Sequence, residues 1–97
     1  VNTTICQAIQ AKRILRFYYD NGYREVAPFY YGVGKDGNEL LRAYQLEGAS
    51  KSGVSTGWKL FSVNEISRLS ITGNFFLINI ADYNRKDPIM IKCFCKI

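Results

Sequence analysis

Two strand-like runs folded about a tight turn, Tyr23–Gln45 (YREVAPFYYGVGKDGNELLRAYQ), constrain this chain more than any other stretch. In the second run Glu39, Leu41, Ala43 and Gln45 fall on one face, and Leu40, Arg42 and Tyr44 on the other. Lys35-Asp36-Gly37-Asn38 supplies the turn between the runs. Pro28 cannot donate a ladder hydrogen bond, so the first run is predicted to be an edge strand or bulged there. Arg42 and Tyr44 side by side form a surface suited to an anionic or aromatic partner.

Upstream, Asn2, Thr3 and Thr4 offer capping oxygens, and Ile5, Ala8, Ile9 and Lys12 follow helical spacing. This predicts one short amphipathic helix, with Lys12 and Arg13 near its C-terminal end and its Ile5/Ile9 stripe covering a core elsewhere. From Ile14 the period changes to two, with Leu15, Phe17 and Tyr19 opposite Arg16 and Tyr18. Asp20-Asn21-Gly22 is a hairpin signal, because Asn-Gly readily takes positive φ angles.

Residues 47–57, EGASKSGVSTG, read as a loop: either plain connection, or a segment whose Lys51 folds over a bound anion. WKLFSV (58–63) predicts a strand with a buried Trp58/Leu60 face and a Phe61/Val63 face. After a corner at Asn64-Glu65, ISRLSIT (66–72) sets Ile66, Arg68 and Ser70 against Ser67, Leu69 and Ile71. Asp87-Pro88 is a good helix start, yet IMIKCFCKI alternates and is β-branched, so residues 88–97 are open between helix and strand. The expected fold is mainly β: one domain over 1–97, with five strands in a small bent barrel over about 5–72, a capping N-terminal helix and a C-terminal extension over 73–97.

Seven Tyr, six Phe and one Trp reinforce the β-rich reading. Thirteen Lys and Arg against eight Asp and Glu leave +5, with the basic residues dispersed, which suits either a solvated basic surface or an anion-binding role. Three cysteines (Cys6, Cys93, Cys95) without a secretory signal predict reduced, buried thiols in a cytoplasmic protein. No apolar run is long enough to span a bilayer.

Catalysis has little to build on. There is no His for a nucleophile–base pair, the carboxylates are scattered, and Gly32-Val33-Gly34 lacks the strand-to-helix context of a phosphate loop. Three cysteines do not make a zinc set, and neither a metal nor a cofactor is expected. For binding, Arg42 and Tyr44 lead. Lys59 and Arg24 would add to them if curvature brings them near, Trp58 is either a stacking platform or core, and Arg13 and Arg16 are either a second basic edge or plain surface charge.

In order and spacing, several features resemble the WYL domain of bacterial regulators. They are Ala8-Ile9 with Lys12-Arg13, Phe17-x-Tyr19, Arg24-x-Val26-x-Pro28, the Gly37 turn, Leu41-x-Ala43, and Lys59-x-Phe61-x-Val63-x-x-Ile66. The tail DYNRKDPIM looks like that of a short branch standing alone without a helix-turn-helix domain. The resemblance implies an Sm-like or SH3-like barrel that senses a nucleotide-like or single-stranded nucleic-acid ligand. It also implies control of an attached or partner DNA-binding protein, in transcriptional or defence regulation. The naming tripeptide falls on Glu39-Leu40-Leu41, so its Trp and its ligand-facing Tyr are absent, and Lys59, Ser62 and Glu65 stand where the family carries arginines. A protein-interaction or homodimerisation module, using the barrel edge and the apolar Phe75, Phe76, Ile89, Met90 and Ile91, is the alternative.

Overall fold

A computed structural model describes residues 1–50 and 53–97, so Lys51 lies outside the described residues. The helix α1 (Thr3–Ala11) is capped by Asn2, whose side chain accepts from Ile5 N at 3.1 Å. Ile5, Ala8 and Ile9 are buried, as their spacing predicts. The helix stops two residues earlier than expected: Lys12 is the left-handed C-cap (φ 57°) and Arg13 already belongs to the first strand. A cap that bonds back to Ala8 O and Ile9 O satisfies the helix end and turns the chain into the sheet.

Six strands follow: β1 (Arg13–Tyr19), β2 (Gly22–Gly34), β3 (Glu39–Gly48), β4 (Gly57–Ser62), β5 (Ser67–Phe75) and β6 (Met90–Lys96). They form one antiparallel sheet in the order β4-β3-β2-β1-β5, with β6 also on β2. Among the described residues β4 and β5 end the path without pairing, so the expected five-stranded barrel is corrected to an open, six-stranded sheet. It is nevertheless strongly curled. Three strand spacings separate β4 from β1, about 14 Å in a flat sheet, yet the Phe61 and Phe17 rings are 5.1 Å apart.

β2 explains Pro28. Its residues 22–26 pair with β1 and its residues 30–34 with β6, while β3 runs along the other side. Pro28 falls between the two partners, next to a register shift against β3, so its missing N–H removes no ladder bond on the side where the partner changes. β2 is also buried on both faces. Val26 and Tyr31 join the core under α1, and Ala27 and Phe29 join a second cluster with Phe76, Trp58 and Tyr83.

Several local expectations shift. Tyr19 pairs with Gly22, so the first hairpin turns on Asp20-Asn21, with the positive φ (59°) at Asp20 and not at the Asn-Gly pair. On β4, Phe61 is the core residue, whereas Leu60 is exposed and Trp58 half-buried on the opposite face. Val63–Glu65 is a short 3-10 helix. A left-handed Arg68 (φ 55°) breaks the alternation of β5, so Ile66, Leu69 and Ile71 all reach the core. Residues 90–96 settle as a strand.

The cysteines also depart from the sequence reading. Cys6 on α1 and Cys95 on β6 form a disulfide with Cα atoms 5.8 Å apart, in place of two buried thiols, and Cys93 is an exposed free thiol. Their separation of 89 residues hid the pairing. The same end of the sheet is tied by Tyr31, whose hydroxyl accepts from Asn2 N at 2.8 Å and donates to the Glu39 carboxylate. Burial, and then Glu39, push the Tyr31 hydroxyl up to about 12. No helix among the described residues is long and apolar enough to cross a membrane.

Candidate anion-binding site

The strand pleat sorts the basic candidates onto two faces. Ala43 pairs with Lys59 and Tyr44 with Trp58. Ala43 faces the core, so Lys59 points to the inner, concave side together with Phe61, whereas Arg42, Tyr44 and Trp58 lie on the outer side. Arg24 pairs with Phe17 of β1 and is therefore inside as well. Curvature does bring Arg24 and Lys59 to one cavity, but it separates them from Arg42 and Tyr44.

On the outer face, Arg42 Nε donates to Asp87 Oδ2 at 2.7 Å, and the same carboxylate group accepts from Ile89 N through Oδ1 at 3.1 Å. Trp58 Nε1 donates to Ala81 O at 2.8 Å. One ring face of Trp58 stacks on Tyr83 (5.7 Å, 22°), and its edges meet Tyr44 and Phe29. The Tyr83 hydroxyl lies 3.3 Å from Phe29 O and 3.2 Å from Ile97 O, and burial pushes it up to about 12. The surface expected to stack on a ligand is thus occupied by the segment between β5 and β6. Arg13 lies over Phe75 and donates to Thr72 O, while the exposed Arg16 pairs with Glu25 at 3.3 Å and covers Tyr23. Arg13 joins neither cluster, and Arg16 lines a separate, smaller cavity of about 140 Å³ with Arg24, Glu25 and Glu47.

On the inner face the chemistry differs. Arg24 is only 4% exposed. Its guanidinium sits 5.1 Å from the Tyr19 ring centroid and 5.6 Å from that of Phe61, and Nη2 donates to Asn21 Oδ1 at 3.1 Å. No carboxylate pairs with it among the described residues, and its Nε is buried without an acceptor. A buried cation lacking a counter-charge is costly, and an unmet buried donor adds roughly 1–3 kcal/mol. Gly48 permits this arrangement. At φ 118° it lies against β2 so closely that a Cβ would come within 2.2 Å of Tyr23 O and 2.8 Å of Arg24 Cα.

Arg24 lines an open cavity of about 340 Å³ with Tyr19, Asp20, Lys59, Phe61 and Glu65. Lys59 Nζ donates to Val54 O at 2.8 Å and to Ser50 Oγ at 3.3 Å, which ties these two residues to β4 at one wall. Ser62 N donates to the Tyr19 hydroxyl at 3.0 Å and fixes the opposite wall. Gln45 donates to Ala49 O and Ser55 O. Asp20 and Glu65 are not among the binding residues expected from the sequence. Their signal was positional, since the Asp20-Asn21 turn, the loop after β3 and the Asn64-Glu65 corner all meet at this end of the sheet.

Among the described residues no group of three or more His, Cys, Asp or Glu side chains is placed to hold a metal ion. No family model, curated protein or solved structure matches the chain.

Proposed function

We propose that this chain is a regulatory ligand-sensing module, not an enzyme, which takes a phosphate-bearing ligand, nucleotide-like or single-stranded nucleic acid, at the cavity of Arg24 and Lys59. One observation carries the reading: a buried, carboxylate-free arginine with an unmet donor lines a cavity that also holds a lysine. Arginine and lysine together suit a phosphate, one through a planar fork and the other as a point charge. The resemblance to the WYL domain adds to it at Lys59 alone, which lines the cavity and keeps the positive charge where that family carries an arginine, whereas Ser62 and Glu65 lose it. Kinship of this curled, open sheet with Sm-like or SH3-like folds, bacterial origin, and transcriptional or defence regulation through a partner DNA-binding protein belong to the same proposal.

The test is titration with short single strands and mono- and dinucleotides at two salt concentrations. Arg24→Gln and Lys59→Gln each weaken binding at least tenfold under this reading, whereas Arg42→Ala leaves it within twofold. Binding lost in Arg42→Ala and kept in Arg24→Gln moves the site to the outer face. A cytoplasmic place of action is also part of the reading, and the Cys6–Cys95 disulfide weighs against it, since such bonds persist in oxidising compartments. Counting thiols in protein trapped with an alkylating agent at cell lysis decides this point.

A second reading, homodimerisation, is favoured by the exposure of Phe75, Leu77 and Ile78 at the end of β5 and of Ile89 and Ile91 at the start of β6. Phe76 and Met90, expected to share in that surface, are instead buried. Sedimentation that gives a monomer at every concentration removes this reading.

A further inference from the structure

We infer that a second cavity, at the far end of β2 from Arg24, binds a free aliphatic amino acid such as leucine. It shares no residue with the anion site, so neither reading depends on the other.

The cavity, of about 410 Å³, lies between the turn after β2 and the segment that leads into β6. Leu40, Pro88, Ile89 and Ile91 give it an apolar lining. Two features keep it open. Gly34 lines it without a side chain, and a Cβ there would come within 2.8 Å of Leu40 Cδ1, so a larger residue would push into the same space. Asp87 fixes the opposite wall, its Oδ1 accepting from Ile89 N and its backbone O from Met90 N, each at 3.1 Å. Met90 is buried, and its neighbours Ile89 and Ile91 are left 44% and 67% exposed. Two large apolar side chains exposed beside a preformed hollow suit an apolar ligand group.

The charges decide what kind of ligand. The exposed Lys35 and Asp36 line the same cavity, and neither side chain has a hydrogen-bond or ion-pair partner among the described residues. A purely apolar ligand would take water from both charges and return nothing. A simple anion would meet Lys35 and be repelled by Asp36, and a simple cation the reverse. A zwitterion meets both. In an α-amino acid the carboxylate and the ammonium group flank one carbon, much as the two charges here stand on consecutive residues, and the side chain is free to enter the apolar part. The carboxylate accepts from Lys35 Nζ and the ammonium group donates to the Asp36 carboxylate. Asn38, also in the lining, carries both a donor and an acceptor for either group. The turn that presents these residues is held by Gly34 N donating to Asn38 O and Gly37 N donating to Gly34 O, each at 3.0 Å. The volume lies toward the small end of ligand cavities, which suits a single amino acid.

NMR titration of the folded protein, following the amides of residues 34–40 and 89–91, tests this with millimolar leucine, alanine, 3-methylbutylamine and 4-methylpentanoate. The amine is leucine without its carboxylate, and the acid is leucine without its ammonium group. Leucine is expected to bind at least about tenfold more tightly than each of the other three. Lys35→Gln is expected to bring leucine down to the level of the amine, and Asp36→Asn down to that of the acid. Both changes fall on an exposed turn and keep the fold. Lys59→Gln, in the other cavity, is expected to leave leucine binding within twofold. If alanine, the amine or the acid binds as tightly as leucine, or if leucine shifts neither group of amides, the inference is overturned and the anion site is untouched. Leucine binding lost in Lys59→Gln and kept in Lys35→Gln puts the amino acid in the Arg24 cavity and overturns it as well.

Discussion

Asp87, 6% exposed, holds Arg42 through a 2.7 Å charge-assisted hydrogen bond. That pairing joins the segment before β6 to the middle of β3 and meets the charge of the arginine most visible in the sequence. Removing one partner leaves a buried charge without compensation. Arg42→Ala is expected to lower stability by about 2–3 kcal/mol, less than for a fully buried pair because the arginine is a quarter exposed. Urea unfolding measures it. The double variant Arg42→Ala/Asp87→Asn is expected to recover part of the loss, and a strictly additive result would show that the two residues are not coupled.

The Cys6–Cys95 bond closes a loop of 89 residues, long enough for a large restriction of the unfolded chain. Reduction, or Cys6→Ala, is expected to cost about 2–5 kcal/mol, while Cys93→Ser changes stability by less than about 0.5 kcal/mol. Thermal melts with and without reductant check both. Equal melting temperatures would mean that the bond does not form in solution.

Stability should fall at alkaline pH because of Tyr31. Its hydroxyl is raised to about 12, chiefly by burial and then by Glu39, against about 10 in the unfolded chain. The unfolded state therefore loses its proton first. The contribution is fully present below pH 10 and disappears as pH rises to 12, by on the order of 2 kcal/mol. Tyr83 acts in the same direction. Unfolding free energies measured across that window should show a shallower decline in Tyr31→Phe than in the parent.

Gly32 meets β6 so closely that a Cβ there would come within 2.1 Å of Lys92 O. Gly32→Ala is expected to destabilise by about 1–3 kcal/mol, with the earliest loss of amide protection in β6. Hydrogen exchange resolved by residue distinguishes this from uniform destabilisation.

The α1 stripe, the parity of β3 and the Gly37 turn were legible because each depends on neighbours in sequence. Leu41, Ala43 and Gln45 are buried as their alternation predicts. The division of the candidate site was not legible. Which face Lys59 takes depends on the register Ala43↔Lys59, set across a long loop whose length imposes no parity. The burial of Arg24 was hidden for a different reason: an arginine in a half-polar strand is ordinarily at the surface, and here sheet curl and the close approach of Gly48 bury it. Residues 26–32 also hide their alternation, since the segment after β5 covers the second face of β2.

The change of partner along β2 has a consequence for biosynthesis. Tyr30–Gly34 leaves the ribosome well before Met90–Lys96, yet only β6 pairs with that edge. During translation those five residues offer bare amide and carbonyl groups, in a segment rich in aromatic side chains. Until β6 is made, that edge is open to association with other copies, and the sheet is completed last.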